Sequence, residues 1–154
     1  MNRKPRVLFF STGDSTRSQM AEGFLKALAG DELIGVSTAV QTPERNPLSV
    51  EVMKEVGVDI SDQHAEALPQ SLKEHFAYVI TLCDAGRERS PIWPFTRNLF
   101  HWSLPDPTTA SGSPEERKTA FRRVRDEIRQ KVAEFTSQKM PALMARGAAA
   151  GVKP

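Results

Sequence analysis

The chain has 154 residues, 39% of them hydrophobic and 26% charged, with a formal net charge of +2. That length suits one domain with a buried core, and so small a charge calls for neither nucleic acid nor an anionic membrane as a partner. A lone cysteine, Cys83, excludes an intrachain disulfide and a thiolate metal cluster, and no run approaches the roughly 18 apolar residues of a membrane span.

The first six residues are basic, but the apolar stretch that follows, Val7 to Phe10, is too short for a secretory signal. A cytoplasmic protein is expected. Val7 to Phe10 reads as a buried strand, because it is short, continuous and bounded by turn residues. A helix over Arg17 to Ala29 follows, with Met20, Ala21, Phe24, Leu25 and Leu28 on one face and Gly30 as a stop. Ile34 to Ala39 is the second strand. Asn46 before Pro47 opens another helix, lined by Leu48, Val52 and Val56 and ended by Gly57. Leu68 to His75 is a short helix, and Tyr78 to Leu82 is the clearest strand, rich in β-branched residues. Asn98 to Trp102 is a weaker fourth strand.

From Pro114 a helix runs for about two dozen residues, with Ala120, Phe121, Val124, Ile128, Val132 and Phe135 as its stripe. One domain over 1–137 is expected, and 138–154 reads as a flexible tail. Strands alternating with helices imply an α/β three-layer sandwich, a four-stranded parallel sheet flanked by helices. Ligands of such folds sit outside the carboxyl ends of the strands, which here means Ser11 to Arg17, Cys83 to Ser90 and Leu104 to Pro107.

The stretch VLFFSTGDSTRSQMAEGF has the makings of an anion cradle. A loop between strand and helix aims backbone N–H groups at one point, and the helix dipole reinforces them. Ser11, Thr12, Gly13, Asp14, Ser15, Thr16 and Arg17 form that loop. Gly13 permits a tight turn, and the planar fork of Arg17 suits a tetrahedral oxyanion. The plainer alternative is a helix start in which Thr16 and Gln19 form a capping box.

These residues closely resemble the Cys-x5-Arg loop of the low-molecular-weight tyrosine phosphatase fold, and within it the thioredoxin-coupled arsenate reductases. NPLSVEVMKEVGVDIS, VITLCDAGRERSP, HWSLPDP and AFRRVRDEIRQKVAEF extend the resemblance over roughly Val7 to Phe135. It implies a four-stranded parallel sheet with helices on both sides. It also implies that the reductases' three working cysteines fall on Ser11, Cys83 and Ser90, so only the middle one is present. A further loop cysteine common in the family falls on Thr16, and the loop asparagine on Asp14. Asp106 sits where phosphatases of this fold carry the general acid, or it is simply a turn aspartate before proline. A potassium ion held near the loop in some of these reductases would meet Asp14, Glu22, Thr38 and Glu66 here; no other cofactor is implied.

The serines matter chemically. A thiol at a helix N-terminus ionises because its pKa is pulled down, whereas a serine hydroxyl needs an adjacent general base. His64, His75 and His101 are the only histidines, and sequence places none of them beside Ser11. Reducing arsenate takes two electrons, and Cys83 alone cannot supply them as an intrachain disulfide. Cys83 itself reads equally as a group facing the loop and as a small core residue. The arginines of RKTAFRRVRDEIRQK are interleaved with acids and read as a solvated helix face. SPIWPFTRNLFHW reads as a loop packed onto the sheet, or as a rim of the site.

Three readings follow. One is an arsenate-reductase-like protein that binds phosphate, arsenate or sulfate without thiol redox chemistry. Another is an active arsenate reductase or phosphatase of altered mechanism, using Ser11 or Cys83 with Asp106, and thioredoxin or a small thiol as partner. The last is an active enzyme in which two cysteines have been exchanged for serine. A pure protein-interaction module has no use for Arg17 and Asp106.

Overall fold

The computed structural model describes residues 4–12, 15–39, 46–84, 93 and 98–149. Its elements, in chain order, are β1 (Arg6–Ser11), α1 (Thr16–Ala29), β2 (Ile34–Ala39), α2 (Pro47–Glu55), β3 (Glu66–Ala67), α3 (Leu68–Lys73), β4 (Tyr78–Thr81), β5 (Leu99–His101), a 3₁₀ turn (Pro107–Thr109) and α4 (Pro114–Ala149). The sheet is parallel throughout, in the order β3-β2-β1-β4-β5. It therefore has five strands where the sequence predicts four. The extra strand, β3, is two residues long on the sheet edge, pairing Glu66 with Thr38 and Ala67 with Ala39. A dipeptide that buries neither residue leaves no periodic trace.

Strand β1 is central, and its residues Val7 to Phe10 are completely buried. The two faces of the sheet divide them. Val7 and Phe9 join Ile80, Leu82 and the apolar sides of α1, α2 and α4, while Leu8 and Phe10 join Val79, Phe76, Cys83 and Trp93, with Leu68 and Leu72 of α3 against them. The three layers follow from that division. Trp93 meets Phe10 edge-on with centroids 5.5 Å apart, so this part of the proline-punctuated stretch does pack onto the sheet.

Asn46 caps α2 as expected, its side chain accepting from the Leu48 N–H at 2.9 Å, and Gly57 follows that helix at φ +80°. Ser113 and Glu116 open α4 with a reciprocal capping box, at 3.0 and 3.1 Å. That helix runs on to Ala149, beyond its predicted apolar stripe.

Gly23 marks a close approach. A Cβ there would lie 2.6 Å from Cγ2 of the fully buried Ile60. Helix propensity alone makes Gly23→Ala stabilising by about 1 kcal/mol, whereas overpacking costs about 1–3 kcal/mol. The clash should win, giving a net loss of roughly 1 kcal/mol in urea denaturation. A gain would show that Ile60 moves aside freely.

The basic run on α4 clamps α2. Glu55 accepts from Arg122 (Nη2, 2.8 Å) and Arg125 (Nη1, 2.8 Å), and Arg125 also donates to the Val52 carbonyl at 2.9 Å. The Arg122 hydrogen bonds lead in holding the Glu55 carboxyl down to about 2, from an ordinary 4.5. A depressed carboxyl contributes its stability above its unfolded value and loses it as pH falls through the folded one. The Tm advantage of the parent over Glu55→Gln should therefore be full near pH 6 and fade between about 4.5 and 2. Melts by circular dichroism across that range measure it, and a pH-independent difference would refute it.

Candidate active site

The chain leaves β1 toward β2 on one side and later returns to β4 on the other, so a crevice opens at the carboxyl ends of β1 and β4. Ser11 ends β1 there and is fully buried. Its hydroxyl donates to Ser18 Oγ at 3.0 Å, and Ser18 donates to the Ser15 carbonyl at 3.1 Å. Helix α1 starts at Thr16 with Ser15 as its N-cap residue. The start differs from a Thr16/Gln19 capping box: Gln19 Nε2 donates instead to the Ser15 hydroxyl, at 2.6 Å. Thr12, Ser15 and Thr16 line this segment, whereas Gly13 and Asp14 of the same loop lie outside the described residues.

Arg17 is only 1% exposed, although its guanidinium stays charged. Burying that charge requires acceptors around it. Nη1 donates to the Leu82 carbonyl at 3.1 Å and to the Leu104 carbonyl at 3.0 Å, and Nη2 lies 3.7 Å from Asp106 Oδ2. One side chain thus joins the helix start, the end of β4 and the loop after β5. Sequence can place Arg17 in a cradle, but its carbonyl partners carry no signal in residue type.

The two oxygens of Asp106 have different partners, and one of them makes the turn aspartate that the sequence offers as an alternative. Oδ1 accepts from the Thr108 N–H at 3.0 Å and from Thr108 Oγ1 at 2.7 Å, capping the 3₁₀ turn. Oδ2 faces Arg17.

Cys83 lies one residue past the Leu82 carbonyl that holds Arg17, yet its side chain is 1% exposed in the apolar cluster of Phe10 and Trp93. Ser90 falls outside the described residues.

All three histidines are exposed. His101 pairs with Thr81 on β4, and His75 precedes β4 at the far end of the sheet from Ser11. The hydroxyl path from Ser11 runs through Ser18 to a backbone carbonyl. Ser18 is the site residue that sequence reading missed, although it directly follows Arg17 in the motif.

Of the four residues matched to a potassium site, Asp14 lies outside the described residues. Thr38 and Glu66 are brought together, the Thr38 hydroxyl donating to the Glu66 carbonyl at 2.7 Å. The Glu66 carboxylate accepts from Ser71 at 2.7 Å and faces Arg6 at 3.8 Å. Glu22 instead packs over Gly35 and Ser37, on the other face of β2 from Thr38. Burial pushes its carboxyl above the usual range. Among the described residues, no three His, Cys, Asp or Glu side chains gather as metal ligands, and no helix is long and apolar enough to cross a membrane.

Comparison with known proteins gives the site a context. The profile of the family described as low molecular weight phosphotyrosine protein phosphatase matches residues 6–143. An arsenate reductase of Halalkalibacterium halodurans is 41% identical over 135 residues, covering 88% of this chain and 96% of that protein. One from Bacillus subtilis is 40% identical over 129 residues, covering 84% and 93%. The solved structure of an arsenate reductase in the phosphate binding state superposes with a TM-score of 0.72 at 30% identity, covering 87% of this chain and 98% of the other.

Proposed function

The chain belongs to the low molecular weight phosphotyrosine protein phosphatase family, and from that premise we propose that it binds a tetrahedral oxyanion of the phosphate or arsenate class in the Ser11–Arg17 loop, without the family's thiol redox chemistry. The observation that carries the reading is the buried Arg17, fixed by two carbonyls and facing Asp106. A cation so fixed loses little entropy when it meets an anion, and α1 adds its positive end. A phosphate-bound arsenate reductase among the similar structures supports the ligand class.

The electron count supports the other half. Arsenate becomes arsenite by accepting two electrons, which two thiols release as they join in a disulfide. This chain has one thiol, and it is buried. Thr12, Ser15 and Thr16 contribute loop groups to the cradle, and Gly13 and Asp14 complete its sequence. Ser90 stands where the resolving thiol is missing.

Isothermal titration with phosphate and arsenate tests the reading, beside an arsenate reduction assay coupled to thioredoxin. Binding without turnover is the expected result. Absence of binding, or sustained arsenite production, would overturn it. A second reading is a slow phosphatase with Ser11 as nucleophile and Asp106 as acid, for which the 3.7 Å approach to Arg17 supplies only the position, Asp106 lying beside the proposed anion site. Aryl phosphate hydrolysis lost in both Ser11→Ala and Asp106→Asn would establish that route.

A further inference from the structure

The loop between α2 and β3 braces the helix that carries the cradle. Ile60 fills the notch left by Gly23 on α1, and three residues later Gln63, 8% exposed, turns back to the same helix. Its backbone N–H donates to the Ile60 carbonyl at 3.1 Å, and its side-chain Nε2 donates to the Gln19 carbonyl at 2.9 Å. Gln19, itself fully buried, donates from its own side chain to the Ser15 hydroxyl. The Ser15 carbonyl accepts from Ser18, and Ser18 accepts from Ser11. A continuous run of hydrogen-bonded residues therefore links Gln63, 44 positions from Gln19 in sequence, to the head of the oxyanion loop.

Two buried primary amides are a costly way to fill space, since each must find partners or lose stability. An apolar side chain would pack as well; an amide also fixes rotation and register. Ile60 sets how close the loop approaches α1, and Gln63 bonds to the helix's first turn, where the loop's N–H groups begin. Anion sites tolerate errors of only about half an ångström.

We infer that Gln63 is a positioning residue for the oxyanion loop, an inference that rests on the oxyanion-binding reading above. Its amide holds the first turn of α1 so that the loop is formed before the anion arrives. Arg17, held separately by Leu82 and Leu104, remains in place without it.

The test is phosphate titration into the parent protein, Gln63→Leu, Gln63→Glu and Val132→Ala, with the melting temperature of each. Val132 is buried on α4 and absent from the run of bonds, so its variant loses stability without touching the loop. Gln63→Leu should weaken phosphate binding roughly 10-fold, and Val132→Ala should leave it unchanged at a comparable loss of melting temperature. Gln63→Glu should share the defect at pH 7.5. Its ratio to the parent should recover toward pH 4.5, as the new carboxyl gains a proton to donate. Should the leucine variant fail to fold, phosphate titrated into ¹⁵N-labelled parent decides: the Gln63 side-chain amide signal should shift in step with Thr16. Parent-like affinity in Gln63→Leu, or a Gln63 signal that stays still while Thr16 moves, overturns the positioning role and leaves oxyanion binding standing. Absence of phosphate binding by the parent overturns the reading beneath it as well.

Discussion

Arg17→Ala is expected to weaken phosphate and arsenate binding by at least roughly 100-fold while leaving a folded protein. A hydrogen bond to a charged group contributes about 1.5–3 kcal/mol, and a guanidinium fork offers a tetrahedral anion two of them. At about 1.4 kcal/mol per tenfold change in Kd, losing both removes two decades or more. The same substitution strips donors from the Leu82 and Leu104 carbonyls. Orphaned buried acceptors cost about 1–3 kcal/mol each, an upper limit here because water can enter the space vacated. A melting temperature lowered by several degrees should accompany the lost affinity.

Arg17→Lys separates charge from geometry. Lysine keeps the positive charge, but as a point donor it cannot serve both carbonyls and an anion through one planar group. Its phosphate affinity should fall nearer to alanine's than to the parent's, as titration would measure. Parent-like affinity in either variant would mean that the loop's backbone and helix dipole suffice, and the role given to Arg17 would be wrong.

What could be read in advance divides along physical lines. Val7 to Phe10 and Tyr78 to Leu82 declare themselves because a central parallel strand is apolar on both faces, whereas Ile34 to Ala39, with Ile34 exposed and Ser37 and Thr38 buried, shows in its β-branched residues. Strand β3 could not, since two edge residues gain their pairing from β2 rather than from their own composition. Arg17 and Asp106 were legible as residue types at a spacing. Their shared environment was not, because it is built from the carbonyls of Leu82 and Leu104, and any residue carries a carbonyl. Gln63 escaped for a similar reason: a lone glutamine in a loop acquires meaning only from the helix it reaches. Cys83 could be weighed both ways from sequence, and its packing beside Phe10 and Trp93 gives weight to the core role.

The replacement with the largest expected gain is Ser11→Cys. Ser11 Oγ already sits at the end of β1, with the Ser18 hydroxyl that accepts from it 3.0 Å away. A thiol there has its pKa lowered by the helix N-terminus, by several units from about 8.5 in the strongest cases. Ser18 can redirect its proton from the Ser15 carbonyl to the thiolate sulfur, stabilising the anion further. Hydrolysis of p-nitrophenyl phosphate should then rise at least roughly 100-fold above the parent, because a thiolate is a far better nucleophile at neutral pH than a serine hydroxyl, which must first give up its proton. Adding Asp106→Asn should slow hydrolysis of an alkyl phosphate by roughly 100-fold, the usual worth of a general acid, and of the nitrophenyl ester by less, since that leaving group needs little protonation. Sustained thioredoxin-coupled arsenate turnover should still be absent in Ser11→Cys, whose two thiols would end as one disulfide between position 11 and buried Cys83, and appear only with Ser90→Cys in addition, when a third thiol can attack Cys83, release the thiol at position 11 and leave a second disulfide for thioredoxin to reduce. If Ser11→Cys binds phosphate as the parent does yet hydrolyses nothing, the cradle lacks more than its nucleophile.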